Sequence, residues 1–479
     1  MNRKTAFILG LTGTLIAASI VFANKQQRAN QQTLQHAGSS GLCNGKAGPA
    51  RTSQGFEHGT LSAALSSSQV TAGSQGEVFA SIDLVAKDAP GTERPPLNLA
   101  LVIDRSGSMA GEKLSQAREA AKGLISRLQG GDRAAIVQYD SEAQVLVSST
   151  VASVEGKPVL LAALDGISPG GSTNLHDGLA LGRDEIMRTL QSGQINRLIL
   201  LSDGQANRGI VDIPTLNQVA ENAAGQGVRV TTVGLGLDYN EDLMEAIAEG
   251  GRGQYYYVKD ESALKDVFAG EMRSLQATVA TRAELRLEPA CNGVEVVEVL
   301  GYQTRREGTA LVVPMADLLG GDSRKVVAKV RVPTNLLGHQ GVLTTRLSYQ
   351  DARSKEQRFV ATALGVEISS DALAVEKTAN QHVMANAIQA ESARSIREAT
   401  VEYERGNTAG AQAILQAQGA RAVEQQTKFR IEEKALAPAK QKMNDIGQAF
   451  NEYSNTSSAG KDIVKGNKAA ARSFEKKAY

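Results

Sequence analysis

The sequence predicts a doubly wound α/β domain inserted in a β-sandwich and followed by a helical region. Three observations predict it. Between Leu97 and about Leu275, apolar runs of strand length alternate with amphipathic helical runs, the pattern of a mostly parallel sheet covered on both faces. From 276 to 368 the helical period vanishes, and short β runs follow one another between Gly, Pro and Asp turns. Beyond 369 the composition turns to Ala, Gln, Glu and Arg, with an apolar stripe at helical spacing.

The elements follow in chain order. Arg3 and Lys4 precede an apolar stretch from Thr5 to Ala23, which reads as an export signal. Two readings of residues 1–23 stand: a cleaved signal peptide, or an uncleaved membrane anchor. Either puts the remainder outside the cytoplasm: periplasmic, cell-surface or secreted. Residues 24–56, rich in Gln, Gly, Ser and Ala, read as a flexible linker. In 57–96, Val78, Ala80, Ile82 and Leu84 alternate with polar neighbours as in a half-buried strand. Isolated hairpins are marginal, so this β segment is expected to complete the sandwich of 276–368. The α/β unit, 97–275, would then lie between the sandwich's two parts.

Within that unit "LNLALVID", "RAAIVQY", "AQVLVSS", "RLILLSD", "VRVTTVGLG" and "GQYYYVKD" are expected as strands. Leu114, Ala117, Ala121, Ile125 and Leu128 mark one helical face, and "LHDGLALGRDEIMRTL" another. Residues 369–454 read as a helical region, a hairpin punctuated by "RGN" and then by Pro438. Residues 455–479, polar with excess Lys, read as a frayed tail.

Composition narrows the function. The 479 residues are 42% apolar, enough for a sizeable core and for two to four structural units. Lys+Arg 52 against Asp+Glu 51 is close to balance, which argues against a nucleic-acid footprint, since that needs concentrated positive charge. Trp is absent and aromatics are 4%, which argues against stacking platforms for bases or sugars. Cys43 and Cys291 are the only cysteines. In an oxidising compartment they pair; otherwise they are two free thiols. Alone they cannot make a zinc site.

Five oxygen-bearing side chains in three separated stretches carry the functional signal: Asp104, Ser106 and Ser108 in "VIDRSGSM", Thr173 in "PGGSTN", and Asp203 in "LLSDGQANRG". Two of the stretches begin with an apolar run that ends on an aspartate, which is how a buried strand delivers a carboxylate to the rim of a sheet. If the two strands are neighbours at a switch point, the carboxylates repel or take up a proton unless a cation joins them. Two carboxylates and three hydroxyls form a hard, oxygen-only set suited to Mg²⁺, or to Mn²⁺. Two negative charges only just neutralise a divalent ion, which leaves it electrophilic toward another oxygen. Capping of a helix by Asp104 or Ser108 explains those residues singly but does not require Thr173.

With "DRSGS", "GGSTN" and "LLSDGQANRG" in order, residues 97–275 resemble the von Willebrand factor A-type domain. The layout is similar to that of exported bacterial proteins carrying it. The resemblance implies a Rossmann-like fold and a metal-ion-dependent adhesion site holding Mg²⁺, Mn²⁺ or Ca²⁺. It also implies a protein ligand that donates an Asp or Glu. Arg105, Ser172 and Gln205 are expected to form the rim that selects the partner.

The alternative is a cell-envelope assembly scaffold whose C-terminal helices make the main contacts. Catalysis is not expected, since no HExxH or Cys-His constellation appears. His176 is expected to serve a surface or capping role. Asp140 and Glu142 are expected in a solvated turn.

Overall fold

The computed structural model describes residues 48–88, 94–191 and 193–476. The segment read as signal or anchor and most of the linker therefore lie outside the described residues, as does Cys43. Cys291 is disulfide-bonded. No described helix is long and apolar enough to cross a membrane.

The α/β unit is built on a six-stranded sheet. From edge to edge its order is Arg252–Val258, Val228–Leu235, Ile195–Ser202, Leu97–Asp104, Arg133–Tyr139 and Ala143–Val151. All neighbours are parallel except the last pair. Every residue of Leu97–Asp104 is buried, as the continuous apolar run demands of a strand covered on both faces.

Alternation divides that strand's side chains between two cores. Leu97, Leu99, Leu101 and Ile103 meet helices Glu112–Ser126, Gly156–Asp165 and Leu264–Gln276. Ala100 and Val102 meet Leu175–Arg188, Ile213–Gly225 and Glu241–Gly250. The helix Gly156–Asp165 was not anticipated, because its ten residues hold too few turns for a clear stripe. The chain leaves Leu97–Asp104 toward one edge and returns on its other side with Ile195–Ser202. The switch point therefore lies between the two strands that carry Asp104 and Asp203.

The sandwich gathers chain from both sides of this insertion. Glu77–Ala86 pairs with Ser323–Arg331 over nine residues, and Gln69–Thr71 pairs with Gln357–Ser369. One core joins Leu61, Val78, Ile82, Leu285, Val326 and Leu347. Part of the expected linker belongs to the sandwich too. Arg51–Phe56 is an edge strand against Gly59–Leu65; it is polar because an edge strand faces water.

The C-terminal region is four long helices: Gln381–Glu404, Thr408–Phe429, Glu433–Glu452 and Ser458–Lys476. Pro438 does not break the third. It sits in the second turn, where the carbonyl it frees belongs to exposed Lys434.

Nor are the described residues 455–476 a frayed tail. Their helix is pinned to the α/β unit by the charges that made it look solvated. Lys465 Nζ lies 3.0 Å from the Tyr239 carbonyl and 2.5 Å from Glu241. Lys468 reaches Asp242 at 2.7 Å and Glu404 at 3.1 Å. Asp462 accepts from Tyr257 at 2.7 Å.

At the foot of the sheet, Asp132 fixes where the first α/β strand begins. Its carboxylate accepts from Arg94 Nη1 at 2.7 Å, Arg94 Nη2 at 2.5 Å, the Leu97 amide at 2.9 Å and the Gln129 amide at 2.6 Å. Both side chains are almost wholly buried. Asp132→Asn leaves the Arg94 guanidinium unpaired. It is expected to cost about 3–5 kcal/mol, the usual effect of breaking a buried pair from one side, read as a lowered midpoint in denaturant unfolding.

Candidate metal centre

Asp104 ends its strand with no solvent exposure. Its Oδ1 accepts the Ser106 amide at 2.8 Å and its Oδ2 accepts the Ser202 hydroxyl at 2.6 Å. The chain then turns through a single 3-10 turn, Gly107–Met109, anchored by buried Met109. This sets the Ser106 and Ser108 hydroxyls 3.1 Å apart. Ser108 Oγ donates to Asp203 Oδ1 at 2.8 Å, and Asp203 is also fully buried. Thr173 is held by the third loop: its amide donates to Asn207 Oδ1 at 2.9 Å, and its carbonyl accepts the Asn207 amide at 3.2 Å.

Gly204 shows that the three hydroxyls face one point. A Cβ built there would lie 3.3 Å from Ser108 Oγ, 3.3 Å from Thr173 Oγ1 and 4.0 Å from Ser106 Oγ. Glycine keeps this cradle open. The donor set around it is oxygen only, with two buried carboxylates behind the hydroxyls. That fits a small hard cation better than a soft one.

The serine and threonine loops are bound together by backbone. Gly107 N donates to Gly171 O at 2.9 Å, and Gly170 N to Arg105 O at 2.6 Å. Asp140 is the hub of this contact, not a member of a solvated turn. It is buried, its Oδ2 accepts from Arg105 at 2.7 Å and from the Gly171 amide at 3.2 Å, and its carbonyl accepts the Asn174 amide at 2.7 Å. A Cβ at Gly170 would collide with the Asp140 carboxylate.

Of the expected rim residues, Ser172 and Gln205 are exposed, while Arg105 is half-buried with its charge committed to Asp140. His176 hydrogen-bonds to neighbouring Asp177 at 2.9 Å, and Asn174 caps that helix.

Four contributors were not anticipated: Asp140, Ser202, Asn207 and Lys113. Asp140 carried the same signal as Asp104 and Asp203, an apolar run ending on aspartate. Lys113, whose Nζ lies 2.5 Å from Asp203 Oδ2, carried none.

A second group of possible ligand atoms, on Glu57, His58 and Asp351, lies within 4.8 Å. Its oxygens are already engaged. Asp351 accepts His58 Nε2 at 2.5 Å and the amides of Arg353 and Ser354, and Glu57 pairs with Arg358. It reads as a latch between the two sheets of the sandwich.

Comparison with known proteins bears on the fold that carries this site. Residues 98–270 match the model of the von Willebrand factor type A domain. Among curated proteins, the uncharacterized protein YfbK of Escherichia coli is 34% identical over 229 residues, covering 47% of this chain and 39% of its own length. The uncharacterized protein sll0103 of Synechocystis is 26% identical, covering 60% of this chain and 69% of its own. Inter-alpha-trypsin inhibitor heavy chain H4 of Bos taurus is 28% identical over 46% of this chain and 24% of its own length. The chain thus spans well under half of the first and third.

The fold extends further. A von Willebrand factor type A structure from Catenulispora acidiphila superposes with a TM-score of 0.67 at 18% identity, covering 89% of this chain and 97% of that one. The ArnB paralog VWA2 of Sulfolobus acidocaldarius gives 0.55 at 17% identity, covering 90% and 100%. Domains of this type commonly mediate protein interactions and typically bind a divalent metal.

Burial pushes the Asp104 carboxyl up to about 6; the hydrogen bonds from Ser202 and Ser106 oppose this, and Asp203 adds to it. A carboxyl raised on folding favours the folded state below its unfolded value near 3.8, and that contribution is lost as pH rises through about 6. Thermal melts of EDTA-treated protein are therefore expected to fall between pH 4 and pH 7, by a loss on the order of 3 kcal/mol. Asp104→Asn should flatten this dependence; an unchanged slope in the variant would assign it to other groups.

Proposed function

Because residues 98–270 form a von Willebrand factor type A domain, we propose that this chain is an exported, cation-dependent protein-binding module that captures an acidic residue of its partner. The observation that carries the reading is the convergence of Ser106, Ser108 and Thr173 hydroxyls on one cradle above two buried aspartates. Asp104, Ser106, Ser108, Thr173 and Asp203 would hold Mg²⁺ (or Mn²⁺ or Ca²⁺), which supplies Lewis acidity toward a carboxylate. The hydroxyls contribute neutral oxygens, so the two aspartates only just neutralise the ion and it stays electrophilic toward a further oxygen. Ser172 and Gln205 offer exposed hydrogen-bonding groups to the partner, while Arg105 works through Asp140 to orient the loops. The export reading rests on Arg3, Lys4 and the apolar stretch to Ala23, and places the partner in the cell envelope or beyond it.

The module is read as non-enzymatic. His176, the histidine of the three loops, is engaged through Nδ1 by Asp177. The envelope-scaffold alternative is the weaker reading. The helical region turns its apolar stripe inward, with Ala393, Ile396, Tyr403, Met443 and Phe450 in one core and Ala387 and Ala390 packed on sandwich residues Leu300 and Val327.

The test is a pull-down from envelope extract with the full chain in Mg²⁺ and in EDTA, alongside Asp104→Ala and Asp203→Ala, with folding checked by circular dichroism. Proteins retained in Mg²⁺ are expected to be released by EDTA and lost with either variant. Partners that persist through all three treatments would refute the reading.

A further inference from the structure

Lys113 stands where the backbone alone disfavours it. It is the second residue of the helix Glu112–Ser126, at the end where the helix dipole repels a cation. Its compensation is Asp203, whose Oδ2 lies 2.5 Å from Nζ while Ser108 holds Oδ1 at 2.8 Å. The Asp203 side chain has no exposure, whereas that of Lys113 is 29% exposed, so its stem reaches in from solvent. Gly236, at φ +79°, lies beside the lysine: a Cβ there would lie 3.8 Å from Nζ and 3.9 Å from Cε, in ordinary van der Waals contact. The adjacent Glu112 points to solvent and accepts from Gln116, so it does not share the lysine.

Resting on the cation reading above, we propose that Lys113 is a tethered counter-cation of the metal centre. It neutralises Asp203 when no divalent ion is bound, and opposes the ion that arrives, so it sets the affinity for metal. Removing it has two opposite effects. The metal-free protein is left with a buried carboxylate short of a partner, which is costly. The arriving ion meets the full charge of both aspartates instead of a charge reduced by one. Once a divalent ion is in place, the retained lysine adds positive charge toward a partner's carboxylate.

Calorimetric titration of the full chain with Mg²⁺ tests this on wild type, Lys113→Met, Lys113→Arg and Asp203→Ala. Lys113→Met is expected to bind Mg²⁺ roughly tenfold tighter, the low end of what one neighbouring charge does to a titrating group. Its EDTA-treated form is expected to melt earlier than wild type. Lys113→Arg keeps the charge and should stay within about threefold of wild type. Equal Mg²⁺ affinity in wild type and Lys113→Met overturns the counter-cation role and leaves the metal reading standing. No Mg²⁺ binding by wild type, or binding unaffected by Asp203→Ala, overturns both. Should the methionine variant fail to fold, Lys113→Gln is titrated in its place and judged by the same affinity criterion.

Discussion

Three aspartates buried at the carboxyl ends of neighbouring strands are the constraint from which the rest of the site follows. An ionised carboxylate held away from water is costly unless donors reach it. Asp104 is met by the Ser106 amide and the Ser202 hydroxyl, Asp140 by Arg105 and the Gly171 amide, and Asp203 by Ser108 and Lys113. These same contacts stitch the serine, threonine and aspartate loops together. The electrostatic problem and the loop geometry thus have one solution: satisfying the carboxylates brings three hydroxyls to a common point. Asp140 shows the principle most plainly, since it contributes to the site solely by holding two loops in place.

The remainder of the chain holds this assembly at both ends. At the foot of the sheet, Arg197 and Arg229 share Asp317 of the sandwich, and Arg197 also meets Glu271. Two cations and two carboxylates balance there, and removing any one would strand a buried charge. At the carboxyl end, the helix Ser458–Lys476 grips the segment after Val228–Leu235 through Tyr239, Glu241 and Asp242. Attachment at opposite ends gives the α/β unit a defined orientation on the sandwich. A binding face presented this way loses less freedom on association than one on a free hinge.

Much of this was legible in the sequence. Apolar runs ending on aspartate announced Asp104 and Asp203, and the strand alternation gave the parallel sheet that makes them neighbours. Thr173 could be assigned because capping does not explain it. What escaped was what depends on tertiary position. Lys113 is an unremarkable helix lysine until the fold sets Asp203 beside it. Arg105 looks like a rim residue until Asp140 claims its charge. The polar run after 455 looks solvated until Glu241, Asp242 and Glu404 supply its counter-charges. Local pattern reports which face is apolar. It does not report which distant charge will pair with which, because pairing depends on loops brought together from far apart in the chain.

The chemical character of the ligand set bears on how such a site would be used. Affinity for a hard divalent ion grows with the number of charged ligands and the rigidity of the cage. Here three of five candidate ligands are neutral hydroxyls, and both carboxylates already accept bonds from the protein. Lys113 lowers the net negative charge further. Each of these choices weakens retention of an ion relative to an all-carboxylate cage, and each also leaves more of its charge available outward. Ser108 is exposed and Gly204 half-buried, so that outward direction leads to solvent and to whatever docks there. Such an arrangement makes little sense for storing an ion, where tight neutralisation is the aim. It suits the proposed reading, in which a carboxylate from outside would complete the coordination and ion and ligand would each strengthen the other's hold.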